Sequence, residues 1–236
     1  MADWKAISAR FTEILGLENK PVGTRYTNRP PQDVWNRKLP ACMSILNAKR
    51  GKTVLINSKT SLCPGGAYYL GFAESHDPKA LEFLSRVECI FSGRATAKNH
   101  LMHCPPPALG IAQNLLLAPL ESYPIAKGNP ELVLFFVNPA QASDLFGLVA
   151  YYIGKPCSLT SFGATCRSSI GNPYSTGEPD ISFIDVSARN MGNYSENELI
   201  VSLPERYARL AYEAIDHSTC GAKETAPIAD LIKDMR

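Results

Sequence analysis

Long apolar runs are missing from this 236-residue sequence. Its most hydrophobic stretches, Leu115-Leu116-Leu117-Ala118 and Leu132 to Val137, fall far short of the roughly 18 residues that a membrane-spanning helix needs. A charge imbalance is missing as well: 24 Lys and Arg stand against 22 Asp and Glu, and no basic run or stripe occurs. That argues against nucleic acid as a partner, because phosphate contacts need concentrated positive charge. There is no Cys-x-x-Cys pair, so zinc ribbons, rubredoxin-like sites and thioredoxin-type redox motifs are disfavoured. Gly-x-Ser-x-Gly, a phosphate loop and His-Glu-x-x-His are absent too. The start, Met1-Ala2-Asp3-Trp4-Lys5, lacks the charged-then-apolar layout of a secretion signal, and the expected location is the cytoplasm.

What is present is an ordinary globular composition, 45% hydrophobic and 19% charged. Seven cysteines at irregular spacing are an odd number, which points to reduced thiols rather than a disulfide framework. Free cysteine is by default a small buried hydrophobe, and Cys89 and Cys220 are read that way. The sequon Asn193-Tyr194-Ser195 carries no meaning in a cytoplasmic protein.

Apolar spacing of three and four in Trp4, Ile7, Phe11, Ile14 and Leu15 predicts an amphipathic helix ending near Gly16. A strand is expected at Val22 to Thr27. Pro40 opens a helix through Cys42, Ile45 and Leu46 that stops at Gly51, and Thr53 to Asn57 reads as a strand. Leu132 to Val137 is a further strand, followed by a helix with Leu145, Leu148, Val149 and Tyr152 on its buried stripe and Gly154 at its end. Ala226 to Met235 forms a terminal amphipathic helix. Tyr68, Tyr69, Phe72, Tyr151 and Tyr152 are read as core. Strands and helices mix without the regular alternation of a dinucleotide-binding sheet, so the fold class is α+β, with mixed sheets and flanking helices.

The most informative stretch is Ser61-Leu62-Cys63-Pro64-Gly65-Gly66-Ala67-Tyr68-Tyr69-Leu70-Gly71-Phe72. Proline is well tolerated at the first helical position and disfavours helical geometry in the residue before it, so Cys63 reads as an N-cap and Pro64 as N1. The thiol then sits at the positive end of a helix, beside the amides of Gly65 and Gly66, where a thiolate or a bound anion would be stabilised.

The chain reads as one globular unit over 1–236 that contains a candidate internal duplication, with halves at about 20–122 and 130–212. Gly51 and Gly154, Ser58 and Ser161, and Cys63 and Cys166 are each 103 positions apart. Phe91-Ser92-Gly93-Arg94 is similar to Val186-Ser187-Ala188-Arg189, and Leu116-Leu117-Ala118-Pro119-Leu120-Glu121 to Ile200-Val201-Ser202-Leu203-Pro204-Glu205. The blocks keep the same order, which would pack the halves about a pseudo-two-fold axis with Cys63 and Cys166 in equivalent places.

Cys42, the Cys63-Pro64-Gly65-Gly66-Ala67 run through Gly71, Leu117-Ala118-Pro119-Leu120, Asn138-Pro139-Ala140-Gln141-Ala142, Cys166 and Glu198 to Pro204 together resemble the bacterial and archaeal family called domain of unknown function 169. The resemblance runs from about Pro21 to Tyr212. It implies that Cys42, Cys63 and Cys166 are the recurrent cysteines and Arg189 the recurrent late arginine. Ser187 stands where the family has a glycine.

Each of those three cysteines lies at or near the start of a predicted helix or short small-residue segment, where thiol pKa values fall and thiolates bind metal. Brought together they would suit an iron–sulfur cluster with one open or non-cysteine position. The competing reading is a metal-free, thiol-reactive or anion-binding protein, in which Cys63 and the Gly65 and Gly66 amides grip an anionic small molecule with charge from Arg94 and Arg189. A third reading is packing alone. His100-Leu101-Met102-His103-Cys104 is a rival metal cluster, weighed against a solvated helix end. His76 and His217 read as isolated, surface or satisfied residues. The partners expected are a small molecule or a redox protein, with neither nucleic acid nor membrane; the sequence does not fix an oligomeric state or an enzymatic activity.

Overall fold

The structure, a computed structural model, describes residues 2–73, 77–108, 112–123, 128–159, 163–192 and 194–222. The expected C-terminal helix at 226–235, His76, Ser161 and Asn193 lie outside the described residues.

Among the described residues, six strands form one antiparallel sheet: β1 (Val22–Thr27), β2 (Val54–Asn57), β3 (Asn114–Pro119), β4 (Leu132–Val137), β5 (Asp180–Ser182) and β6 (Leu199–Pro204), in the spatial order β2-β3-β1-β4-β6-β5. The fold is α+β. Every residue of β4 is buried, because helices cover both faces of the sheet and the strand has no solvent side on which to place polar groups. Val133, Phe135 and Val137 face a core built with α1 (Trp4–Leu15), α6 (Pro139–Ile153) and α9 (Glu205–Ala214). Leu132, Leu134 and Phe136 face the opposite core, which contains α2 (Ala41–Lys49), α3 (Pro64–Tyr69) and α5 (Arg94–His103).

Local chemistry places the boundaries where the spacing predicted them. Asp3 caps α1 by accepting from the amides of Lys5 and Ala6, and Gly16 ends it at φ 61°, a conformation glycine adopts without steric cost. Asn138 and Gln141 form a reciprocal capping box on α6, with Pro139 in its first turn. Two expectations fail. Tyr151 and Tyr152 are half-exposed and stack edge-to-face on one another rather than packing in the core. Cys89 is exposed and takes φ 52°, so it is not a buried hydrophobe.

The candidate duplication meets a mixed result. From the centre outward the halves run β1-β3-β2 and β4-β6-β5, so β3 and β6, which carry the two similar Leu/Pro/Glu blocks, hold corresponding places. Yet α2 covers one face of the sheet and α6 the other, whereas a two-fold axis through the antiparallel β1–β4 pair, normal to the sheet, would put them on the same face. Cys63 follows β2, but Cys166 precedes β5, the strand in the matching position, so the 103-residue spacing does not pair equivalent elements.

The helices on the α2 face approach closely because glycine lets them. A Cβ on Gly66 would lie 3.1 Å from Ala41 Cβ, which sets α3 against α2. A π-helical turn at Arg167–Gly171 leads into α7 (Asn172–Thr176), and a Cβ on Gly171 would lie 2.3 Å from the Tyr69 carbonyl oxygen. Overpacking against backbone has no cheap relief. Gly171→Ala is therefore expected to lower unfolding stability by about 2–3 kcal/mol in urea titration, whereas Gly163→Ala, with nothing nearer than 4.0 Å, should be close to neutral.

Candidate functional site

Three local devices bring Cys42, Cys63 and Cys166 to one cavity. The first is a short parallel bridge between the segments that precede α2 and α3: Leu39 N–H donates to Thr60 O at 3.1 Å, and Leu62 N–H to Leu39 O at 3.0 Å. It lays Pro40-Ala41-Cys42 beside Leu62-Cys63. The second is the N-cap of α3, where Gly66 N–H donates to Cys63 Sγ at 3.3 Å and Pro64 occupies N1, the arrangement that the Cys-Pro-Gly-Gly run predicts. The third is Asp185, just before α8 (Val186–Gly192). One carboxylate oxygen accepts from Thr165 N–H and Thr165 Oγ–H, both at 2.7 Å, and the other accepts from Ala188 N–H at 2.7 Å. This fixes the segment carrying Cys166. The residue before Asp185, Ile184, takes φ 54°, a region costly for a β-branched side chain.

The cavity measures about 180 Å³ and is lined by all three cysteines together with Gly65, Gly66, Tyr69, Phe83, Glu88, Asp185 and Met191 among others. Its walls are mainly apolar. Two π-helical segments border it, one continuing the helix α4 (Pro78–Glu82) through Phe83–Val87 and the other starting after Cys166. Such segments recur at functional sites because they displace a turn from regular packing. No described lining residue carries a positive charge, whereas two carboxyl side chains face the space.

The thiols do not behave as helix-terminus thiols. Burial pushes Cys63 up to about 11, outweighing the opposing hydrogen bonds from Gly66 and Gly65, and Glu88 and Asp185 push the same way. Cys42 rises to about 12, by burial and then by the charge of Asp185. Cys166 is raised well above the ordinary thiol value, by burial and then by the other two cysteines. The expected lowering therefore fails for a definite reason: α3 has only six residues, and desolvation of a thiolate costs more than two amides return. Cys166 is already in helical conformation and makes no capping bond. Burial also lifts the Glu88 carboxyl to about 7, with Asp185 adding to the shift. Among the described residues, no group of three or more His, Cys, Asp or Glu side chains could hold a metal ion as placed.

The other candidates lie elsewhere. Arg189 serves as a backbone clamp: its guanidinium donates to the carbonyls of Ile184 (3.1 Å), Phe183 (2.8 Å), Glu198 (3.1 Å) and Ser195, which leaves it structural rather than ligand-binding. Arg94 starts α5, is half-exposed beside Glu82 at 3.7 Å, and does not line the cavity. In the His100–Cys104 segment, His103 Nδ1 meets the Asn99 carbonyl at 2.8 Å. His100 lies between Tyr69 OH at 3.1 Å and Cys104 Sγ at 3.6 Å, so it joins the wall behind the cavity rather than a solvated helix end. His217 is exposed, as expected. Sequence reading missed Asp185 and Glu88. The first had a usable signal, an acidic residue three positions ahead of Ala188 at a helix start, whereas nothing local distinguishes Glu88 from a surface carboxylate.

An α+β fold with one buried, cysteine-lined, carboxylate-bearing cavity is the class of protein these features define. A model of the family domain of unknown function 169, described as uncharacterised ArCR, matches residues 10–213, and the chain belongs to that family. No curated protein and no solved structure matches it. No helix among the described residues is long and apolar enough to cross a membrane.

Burial lowers the His100 pKa to about 4, with Arg167 and His103 adding to the shift. The unfolded chain, with histidine near 6.5, then binds more protons than the folded one between about pH 6.5 and 4, and stability falls as pH drops through that window. His100 is only half-buried, so its share is on the order of 1 kcal/mol. Urea midpoints measured from pH 7 to 4 should show a shallower acid-side loss for His100→Gln than for the parent chain; equal slopes would remove the assignment.

Proposed function

We propose that the cavity holds an iron–sulfur cluster ligated by Cys42, Cys63 and Cys166. The observation that carries the reading is the make-up of the cavity wall: three thiols and two carboxyl groups around an open space, with no cation among the described lining residues. Such a wall favours a positively charged core over an anion, and thiolate is the ligand iron–sulfur clusters use. Protonated thiols spaced around a void do not suit a single ion, which needs its donors drawn close together. A cluster spreads its ligands over its own width. The raised thiol pKa values describe the metal-free state, and coordination by cationic iron deprotonates a thiol outright.

Asp185 is committed to Thr165 and Ala188, so Glu88, on giving up its hydrogen bond with Ser187, is the side chain left to complete the ligand shell, unless a fourth position stays open for substrate. Bound there, a cluster would supply one-electron transfer or an open iron site. The chain's own part is to exclude water with Phe83, Tyr69 and Leu62 and to tune the sulfurs through the Gly66 amide. A protein of this kind would work with a redox partner or a small substrate in the cytoplasm.

The second reading is a metal-free pocket for a small uncharged molecule, favoured by the apolar walls. At about 180 Å³ the space lies below the roughly 300–1,000 Å³ of drug-sized ligand sites, so the occupant would be small. The anion-gripping version has no such support, since the charge facing the cavity is negative.

Anaerobic purification from iron-replete cells, followed by iron and sulfide analysis, visible absorption and paramagnetic resonance after reduction, tests the proposal. The expected result is stoichiometric iron and sulfide in the parent chain, a fall of at least about tenfold in Cys42→Ser, Cys63→Ser and Cys166→Ser, and no change in Cys89→Ser or Cys220→Ser. Colourless, iron-free parent protein that also fails chemical reconstitution would overturn it.

A further inference from the structure

The iron–sulfur reading leaves the His100-to-Cys104 segment without a role. His100 and Cys104 stand four positions apart at the end of α5, so both side chains fall on one face of the helix, and Pro105 stops the chain from continuing it. Cys104 Sγ lies 3.6 Å from His100 Nδ1, and the other ring nitrogen, Nε2, lies 3.1 Å from Tyr69 OH. Phe91 packs against the imidazole with ring centroids 4.8 Å apart, and Tyr68 OH donates to the Leu101 carbonyl at 3.0 Å; together they fix the ring and the end of the helix. Among the described residues, Cys104 is the one thiol of seven whose sulfur meets a histidine.

Burial sets the order of donors along this chain of side chains. The hydroxyl of Tyr69, a residue 2% exposed, needs an acceptor, and His100 Nε2 is the one it meets. Burial holds His100 at about 4, so the ring is neutral at physiological pH, which assigns its one hydrogen to Nδ1, facing Cys104 Sγ. A thiolate at Cys104 would therefore accept from a donor that Tyr69 and Phe91 already orient, the three-part layout of an activated nucleophile. Cys104 is 7% exposed, and His103 and Pro105 on either side of it are exposed. The sulfur is open to a reactant about the size of water and closed to a larger one.

We infer that Cys104 is a peroxide-reactive thiol, oxidised to the sulfenic acid by hydrogen peroxide, with His100 as its hydrogen-bonding partner and Tyr69 as the positioning residue behind the imidazole. The thiol loses its proton to water, and the thiolate sulfur attacks one peroxide oxygen. The S–O bond forms as the O–O bond breaks, sulfur is oxidised and peroxide reduced by the same electron pair, and the departing hydroxide takes a proton from water. Thiol and peroxide thus become sulfenic acid and water. A small thiol reverses the product through a mixed disulfide. Hydrogen peroxide meets the limit on access because it is little larger than water. Tyr69 also lines the cysteine cavity, so the oxidised sulfur would stand behind that wall with His100 and Tyr69 between. The inference stands whether or not a cluster binds.

The test treats the full chain in iron-free form with sub-stoichiometric hydrogen peroxide in the presence of dimedone, which traps sulfenic acids, and reads each cysteine by peptide mass spectrometry. Cys104 should be labelled about tenfold more than the exposed Cys89, whose sulfur reaches only the Arg86 carbonyl, and more than Cys42, Cys63 and Cys166, which burial keeps as thiols. His100→Leu should cut the Cys104-to-Cys89 ratio about tenfold, and Tyr69→Phe should cut it by less. A loosened fold would expose Cys104 and raise the ratio, so a fall separates the chemistry from structural damage. Cumene hydroperoxide, too bulky for the opening, should label Cys104 less than hydrogen peroxide does. The inference is overturned if Cys89 is labelled as strongly as Cys104, if the ratio holds or rises in both variants, or if the bulky peroxide labels Cys104 equally well. The same Cys104 labelling is expected in a chain carrying Cys42→Ser, Cys63→Ser and Cys166→Ser, which keeps failure here distinct from failure of the cluster reading.

Discussion

The site depends on the carboxylate of Asp185 more than on any cysteine. That single side chain satisfies the amide and hydroxyl of Thr165 and the amide of Ala188, so it holds the segment bearing Cys166 against the start of α8. Around it the backbone is under constraint. Ile184 is held in a left-handed conformation, and Arg189 pulls the carbonyls on either side of α8 inward. A strained residue persists only where its surroundings over-determine it. Here four arginine contacts and three carboxylate contacts do so within a few residues, and the product is a fixed wall opposite Cys63.

The opposite wall is fixed by backbone alone. The Leu39–Leu62 bridge and the Gly66–Ala41 approach place Cys42 and Cys63 on neighbouring segments. What results is a mainly apolar space faced by three thiols and two carboxyl groups. Burial makes thiolates expensive there, so any ligand that binds them as thiolates has first to displace their protons.

Much of the fold was legible because it is written in short-range terms. The α1 stripe, the Gly16 and Gly154 stops and the β4 run follow from periodicity and from backbone preferences that act within a few residues. Tyr151 and Tyr152 misled because aromatic size favours burial on average, but their position on α6 turns them away from the sheet. The duplication was legible only as far as β3 and β6. Helix placement on opposite faces is a property of the crossover connections, which no block similarity records.

By itself the sequence determined the fold class, the family, the Cys63–Pro64 cap and the three cysteines worth following. The reason is that caps, turns and amphipathic spacing are local chemistry. Only the tertiary structure decided that those cysteines line one cavity, that their pKa values rise rather than fall, that Arg189 clamps backbone, and that Glu88 and Asp185 join the cavity wall. Each of those facts depends on burial or on partners distant in sequence: Cys42 lies 124 positions from Cys166, and the desolvation that sets the thiol chemistry exists only once the sheet and its helices have closed around them.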